Sequence, residues 1–227
     1  MPRNTAPANV SSPKDLVQYR VVDASPVDSN SPPGYVERYI HSEIYKRFPE
    51  VNGVIHSHAP EIIPYTITSS LLRPCIHMAG FIGRDVPVFD ISKHYALDDV
   101  RDLLIRNARL GGELAEYLSK PGSASTSASS TAPDHSIVLM RGHGYTVAGS
   151  SPEDAIYRAV YARENAAIQT TSLGLAHFSG GKDTEVQYLR DDELEDTGAM
   201  VQTAWSRAWG LWRREVEATE LYKCDEE

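Results

Sequence analysis

Val54-Ile55-His56-Ser57-His58-Ala59-Pro60 is an apolar, β-branched run that ends in two histidines one residue apart. In an extended strand residues i and i+2 share a face, so His56 and His58 aim two imidazoles at one point. Downstream, Ile137-Val138-Leu139-Met140 leads into Arg141-Gly142-His143-Gly144-Tyr145. Glycines on both sides of this third histidine permit the sharp backbone placement that presents a side chain at a strand end. Three neutral imidazoles with one position left open are what a catalytic zinc or similar divalent ion needs. A histidine pair alone is a weak signal, because a buried imidazole is more often hydrogen-bonded within a core.

Upstream of the pair, Val36, Ile40 and Ile44 recur at helical spacing and predict a helix from Tyr35 that ends near Arg47, ahead of Pro49. Glu37 lies on it, one turn before His41. The short connection into the histidine strand lets Glu37 reach the open side of a metal, as proton donor and acceptor or as a displaceable ligand. The alternative is a solvated carboxylate paired with Arg38 or His41.

The remaining chain alternates strands with long helices. Residues 1–12 have no period and read as a mobile lead-in, followed by a single domain over 13–223. Leu16–Val22 reads as a strand and Ser25–Gly34 as a loop. Val86–Ile91 reads as a strand at a sheet edge, because Pro87 cannot donate to a ladder. Asp98–Ser119 carries apolar residues on one side and reads as one amphipathic helix, capped by Asp98 or Asp99. The Ser/Ala-rich stretch at 121–134 reads as a flexible insertion, and His135 directly after it is a poor ligand candidate. Residues 137–148 read as a strand pair with a glycine turn. Ser151-Pro152-Glu153-Asp154 opens a helix expected to stop at Gly174. A last helix from about Asp191 to Tyr222 carries Trp205, Trp209 and Trp212, either packed within the subunit or forming a subunit interface. This order indicates an α/β sandwich with a mixed sheet.

The chain has 227 residues, 41% hydrophobic and 23% charged, enough for one sizeable core. The 22 Lys and Arg against 31 Asp and Glu leave a formal charge of -9. Without a basic stripe, nucleic acid and anionic membrane are disfavoured as partners; Arg207, Arg213 and Arg214 alternate with Glu215 and Glu217 and read as a solvated face. No apolar run approaches the ~18 residues of a membrane span and no signal peptide is evident, so a cytoplasmic protein is expected. Cys75 and Cys224 lack any metal or disulfide spacing.

Glu37, nineteen residues before His56-Ser57-His58, together with Leu139-Met140-Arg141-Gly142-His143-Gly144 and the Ser151-Pro152-Glu153-Asp154-Ala155 helix start, resembles the class II aldolase/adducin family over about Ser12 to Leu175. The resemblance implies a three-layer α/β/α sandwich with a mixed central sheet, assembled as a homotetramer. It implies a divalent metal on His56, His58 and His143, most often Zn2+, with Mn2+, Fe2+ or Co2+ as alternatives, and Glu37 as the acid/base. Two features depart from the family's sugar-phosphate aldolases. Tyr35-Val36 stands where they carry a phosphate-binding Ser-Ser pair, which disfavours a phosphorylated substrate. The family's opening helix and Gly-Asn loop are not evident ahead of Leu16. Segments such as Val86-Pro87-Val88-Phe89-Asp90 are more similar to the decarboxylase-like branch.

The function implied is a metal-dependent carbon-carbon lyase acting through a metal-stabilised enolate on a small-molecule substrate. Decarboxylation or aldol-type cleavage of a non-phosphorylated hydroxy, keto or aromatic carboxylic acid would fit. Arg141 and His77 are the candidates for binding a substrate carboxylate. A dehydratase or epimerase could use the same site, and the adducin branch offers a non-catalytic scaffold as the rival reading.

Overall fold

The computed structural model describes residues 1–3, 5–32, 34–121, 131–179 and 185–225. Nine of the ten residues of the strand pair at 137–149 are apolar or glycine at full burial, and they form its centre: β3 at Ile137–Met140 and β4 at Gly144–Gly149. They pair antiparallel with Leu139 opposite Tyr145. The histidine strand, β1 at Gly53–Ser57, joins β4 antiparallel with His56 opposite Thr146 and Ser57 opposite Tyr145. β2 at Val88–Phe89 joins β3 in parallel, so the mixed sheet runs β1-β4-β3-β2 and β2 stands at its edge, as Pro87 predicts.

Strand alternation sorts the sheet's side chains onto two faces. Val54, Val138, Met140 and Ala148 pack with Ile40, Ile44, Leu110 and Leu114. These last four come from α1 at Arg38–Arg47 and α3 at Ala108–Glu116. On the opposite face Ile137, Leu139, Tyr145 and Val147 pack with Ala162 and Ala166 of α4, Pro152–Phe178. Helices, sheet and helix make the three expected layers. A short α2, Ile63–Ile67, follows β1, and α5, Asp191–Glu217, crosses α4 and the 3-10 turn at His77–Ile82. Trp212 of α5 lies near Tyr157 and Tyr161 of α4, with ring centroids 6.3 and 6.1 Å apart, so part of the tryptophan stripe packs within the subunit.

Several sequence expectations need correction. Leu16–Val22 is no strand: only isolated bridges, Pro2 to Leu16 and Tyr19 to Pro26, are present. The chain turns back instead, with the Ser25 amide bonded to the Asp23 carboxylate at 2.8 Å and the Arg20 amide to the Ser25 carbonyl at 2.8 Å. Near the start of the chain the Met1 ammonium donates to the Val17 carbonyl at 2.9 Å and the Arg3 amide to the Asp15 carbonyl. The helix expected over Asp98–Ser119 exists only from Ala108, because Asp99 and Asp102 spend their carboxylates on the amides of Ala96 and Leu104 and hold the chain in turns. Its cap is Asn107, which accepts from the Leu110 amide at 2.9 Å. α4 runs four residues beyond Gly174 to Phe178. Most of the Ser/Ala-rich insertion, at 122–130, lies outside the described residues.

Candidate metal centre

Each of four side chains is brought to one point by a local necessity of the backbone. Glu37 is the residue before α1, and its carbonyl accepts from the Ile40 amide at 3.0 Å. His56 shares the face of Val54, toward α1, and His58 continues that face just past the end of β1. His143 closes the β3–β4 turn with its amide on the Met140 carbonyl at 3.0 Å. Gly142 makes that turn possible with φ of 64°, a left-handed conformation that costs glycine nothing, and its amide is held by Thr66 Oγ1 at 3.0 Å. Gly144 allows β4 to close on β1, since a Cβ there would lie 2.1 Å from the Ser57 carbonyl oxygen.

The resulting cluster places one nitrogen or oxygen from each of Glu37, His56, His58 and His143 within 4.8 Å of one another. His56 Nε2 faces His58 Nε2 at 2.9 Å. Glu37 Oε2 is 3.4 Å from His56 Nε2 and 4.0 Å from His58 Nε2, and its Oε1 is 3.5 Å from His143 Nε2. His56 Nδ1 donates to the Tyr145 carbonyl at 3.0 Å, with Thr146 Oγ1 at 3.3 Å, so its Nε2 lone pair is the one turned to the centre. Both ring nitrogens of His143 are buried without a hydrogen-bond partner. A buried polar atom left in that state is costly unless something else satisfies it, and a divalent cation among three imidazoles would do so for Nε2, the nitrogen on the side of Glu37. The residues present therefore fit a divalent metal.

The electrostatics agree. Burial opposes ionisation of Glu37, but the adjacent imidazoles of His143 and His56 outweigh it and hold its carboxyl far below the usual range. Burial, then the like charges of His56 and His143, push the His58 imidazole down, toward the neutral form a ligand needs. His58 has a side chain 59% exposed, against 8–16% for the other three, so the centre opens to solvent on its side.

The two candidate carboxylate binders separate. Arg141 lies in the turn beside His143, where its Nε donates to Asp90 at 2.5 Å. His77 is exposed at the start of the 3-10 turn that packs against α5, and it is not among the clustered residues. Sequence reasoning missed the groups that hold the cluster. The Ile105 amide donates to Glu37 Oε1 at 3.3 Å, and the Thr146 and Tyr145 contacts fix His56. Reading 98–119 as one helix hid the first, because a helical amide at 105 would be committed to its own helix.

Comparison with known proteins places the chain in a family. The chain is 50% identical over 225 residues to decarboxylase tropJ of Talaromyces stipitatus, covering 98% of this chain and 82% of that protein. It is 27% identical over 175 residues to the 3,4-dihydroxyphthalate decarboxylase of Arthrobacter keyseri, covering 73% of this chain and 58% of that one. Among solved structures, an aldolase II superfamily protein from Pseudomonas syringae superposes with a TM-score of 0.63 at 18% identity, covering 92% of this chain and 74% of the other. The L-fuculose 1-phosphate aldolase of Glaciozyma antarctica PI12 gives 0.62 at 15% identity, covering 94% and 72%. These two show the fold alone, while identity of 50% across nearly the whole chain marks an enzyme, a lyase. The family model described as the class II aldolase and adducin N-terminal domain matches residues 3–170, and the chain belongs to that family.

Proposed function

We propose that this chain is a metal-dependent decarboxylase of a hydroxylated, non-phosphorylated aromatic carboxylic acid. The observation that carries the reading is the convergence of His56, His58 and His143 on Glu37, with neither buried ring nitrogen of His143 in a hydrogen bond. The decarboxylases among its relatives support the reaction type. The hydroxyl of Tyr35, at a position where sugar-phosphate aldolases carry serine, is spent on the Thr5 carbonyl and offers phosphate nothing.

His56, His58 and His143 would hold the ion, and zinc suits three imidazoles best, with Mn2+, Fe2+ or Co2+ as alternatives. When bound, it would act as a Lewis acid toward substrate oxygens and ease cleavage of the bond to the departing carboxylate. Glu37 moves the proton. Ionised at rest, it accepts the proton of the substrate hydroxyl and returns it to the ring carbon, which keeps the electron pair as CO2 leaves. Arg141, anchored by Asp90 at the rim, would orient an anionic substituent of the substrate. Exposed apolar residues of α4, Leu175 and Phe178, with Ile67 at the end of α2 and Leu71 after it, offer a surface for the homo-oligomer that the resemblance implies.

Metal analysis of the purified chain should find about one divalent ion per chain, lost in the His56→Ala/His58→Ala double variant. Glu37→Gln should keep the ion and release CO2 from a catechol carboxylate about 100- to 10,000-fold more slowly. Full metal content in the double variant sinks the ligand assignment, and no CO2 from a panel of hydroxylated aromatic acids sinks the decarboxylase reading.

A further inference from the structure

Leu103 and Ile105 of the segment 98–107 border the site, and one residue there has an unusual backbone. Leu103 has φ of 69°, in the left-handed region that leucine rarely adopts. Its amide donates to the Tyr95 hydroxyl at 3.0 Å, and Tyr95 itself packs against the hydrophobic core. On either side the segment is pinned. Asp102 accepts from the Leu104 amide at 3.2 Å and from Arg106 Nε at 2.9 Å, while Ile105 is fully buried. Between these anchors the Ile105 amide points out of the loop and donates to Glu37 Oε1. The Leu103 side chain reaches the β3–β4 turn, its Cδ1 lying 3.4 Å from where a Cβ on Gly142 would stand.

We propose that Leu103 is a positioning residue for Glu37. Its left-handed backbone turns the chain so that the Ile105 N–H meets Glu37 Oε1, leaving Oε2 directed at His56 and His58. An ordinary extended or helical conformation at 103 would rotate the following peptides and withdraw that amide. The hydrogen bond orients the carboxylate along the direction in which it exchanges a proton, so losing it should slow the chemical step more than substrate binding. Tyr95 serves the same purpose one step removed, by occupying the Leu103 amide.

Leucine, isoleucine and asparagine at 103 separate backbone from side chain. Leu103→Ile keeps every carbon but branches at Cβ, which strongly disfavours positive φ. Leu103→Asn keeps nearly the same shape and tolerates that conformation. In the metal-free protein, hydrogen exchange at the Ile105 amide should quicken at least ~10-fold in Leu103→Ile and in Glu37→Ala, and about as much as in Leu103→Ile or less in Tyr95→Phe. It should stay within about threefold of wild type in Leu103→Asn. In the metal-loaded protein, Leu103→Ile should lower kcat about 10-fold with KM within about twofold, and Leu103→Asn should restore kcat.

Unchanged exchange at Ile105 in Glu37→Ala would overturn the hydrogen bond. Equal losses in Leu103→Ile and Leu103→Asn would overturn the role of the backbone and leave only side-chain packing. The turnover arm rests on the decarboxylase reading, whereas the exchange arm needs neither substrate nor metal. A wild-type chain that releases no CO2 yet shows the predicted exchange pattern would defeat the function and keep the positioning role.

Discussion

His56 is useful because of the nitrogen it does not offer. With Nδ1 committed to the Tyr145 carbonyl, only Nε2 is left to face His58 and Glu37. His41, one turn along α1 from Glu37, shows the opposite use of the same side chain. Burial first, then the charges of His56 and the chain's amino terminus, push its imidazole down to about 4, with Glu37 opposing only in part. Above pH ~6.5 His41 is neutral whether the chain is folded or not. Between ~6.5 and about 4 the unfolded chain takes up a proton that the folded chain refuses. Stability must therefore fall as pH falls through that window, by on the order of 3 kcal/mol from this residue. Denaturant melts of chelator-treated protein at pH 7 and pH 4.5 should show His41→Gln losing less stability across the interval than wild type. Parallel losses would assign the acid sensitivity to other groups.

At the scale of elements, the site depends on how closely two strands approach. Gly144 faces the end of β1 where a methyl would strike the Ser57 carbonyl and crowd His58 Cα, which would lie 3.2 Å away. Both contacts are backbone, so relief requires β1 and β4 to part at the register that sets His56 and His58 against His143. Gly144→Ala should destabilise the fold by about 3 kcal/mol, as overpacking of a rigid contact does, and weaken metal binding with it. Wild-type metal affinity in a folded Gly144→Ala chain would contradict this dependence.

The same elements explain what the sequence could disclose. β1, the β3–β4 turn and the start of α4 were legible because their signals are local: β-branched runs, glycines around His143, and Ser151 accepting from the Asp154 amide. The segment at 98–107 was not, because Val100, Leu103 and Leu104 match a helical stripe as well as they match a loop. Side-chain to backbone bonds of Asp99 and Asp102 decide between the two, and apolar spacing carries no trace of them. Leu16–Val22 failed for the complementary reason: a strand needs a continuous partner, and its alternation cannot show that Pro2 and Pro26 supply only isolated bridges. The four clustered residues were nameable in advance, whereas the amide of Ile105 has no side chain by which to announce itself.

Across the whole molecule, the centre joins segments that the sequence keeps far apart: the entry to α1, the end of β1, the turn before β4 and, through Ile105, the segment before α3. An unfolded chain cannot hold three imidazoles and a carboxylate at such separations in one place, so an ion bound there favours the folded state almost exclusively. At a free metal concentration about 100 times its Kd, the folded state gains about 2.7 kcal/mol. For a chain of this length that corresponds to a Tm rise of about 5–10 °C, at ~2–4 °C per kcal/mol. Thermal melts with zinc and with excess chelator should differ by that much in the wild type, and should coincide in His56→Ala/His58→Ala. An equal rise in the double variant would place the stabilising ion elsewhere, on the acidic surface. Because binding releases the protons that compete for the imidazoles, the gap should also narrow as pH falls, and adventitious binding to already ionised surface carboxylates would not produce that narrowing.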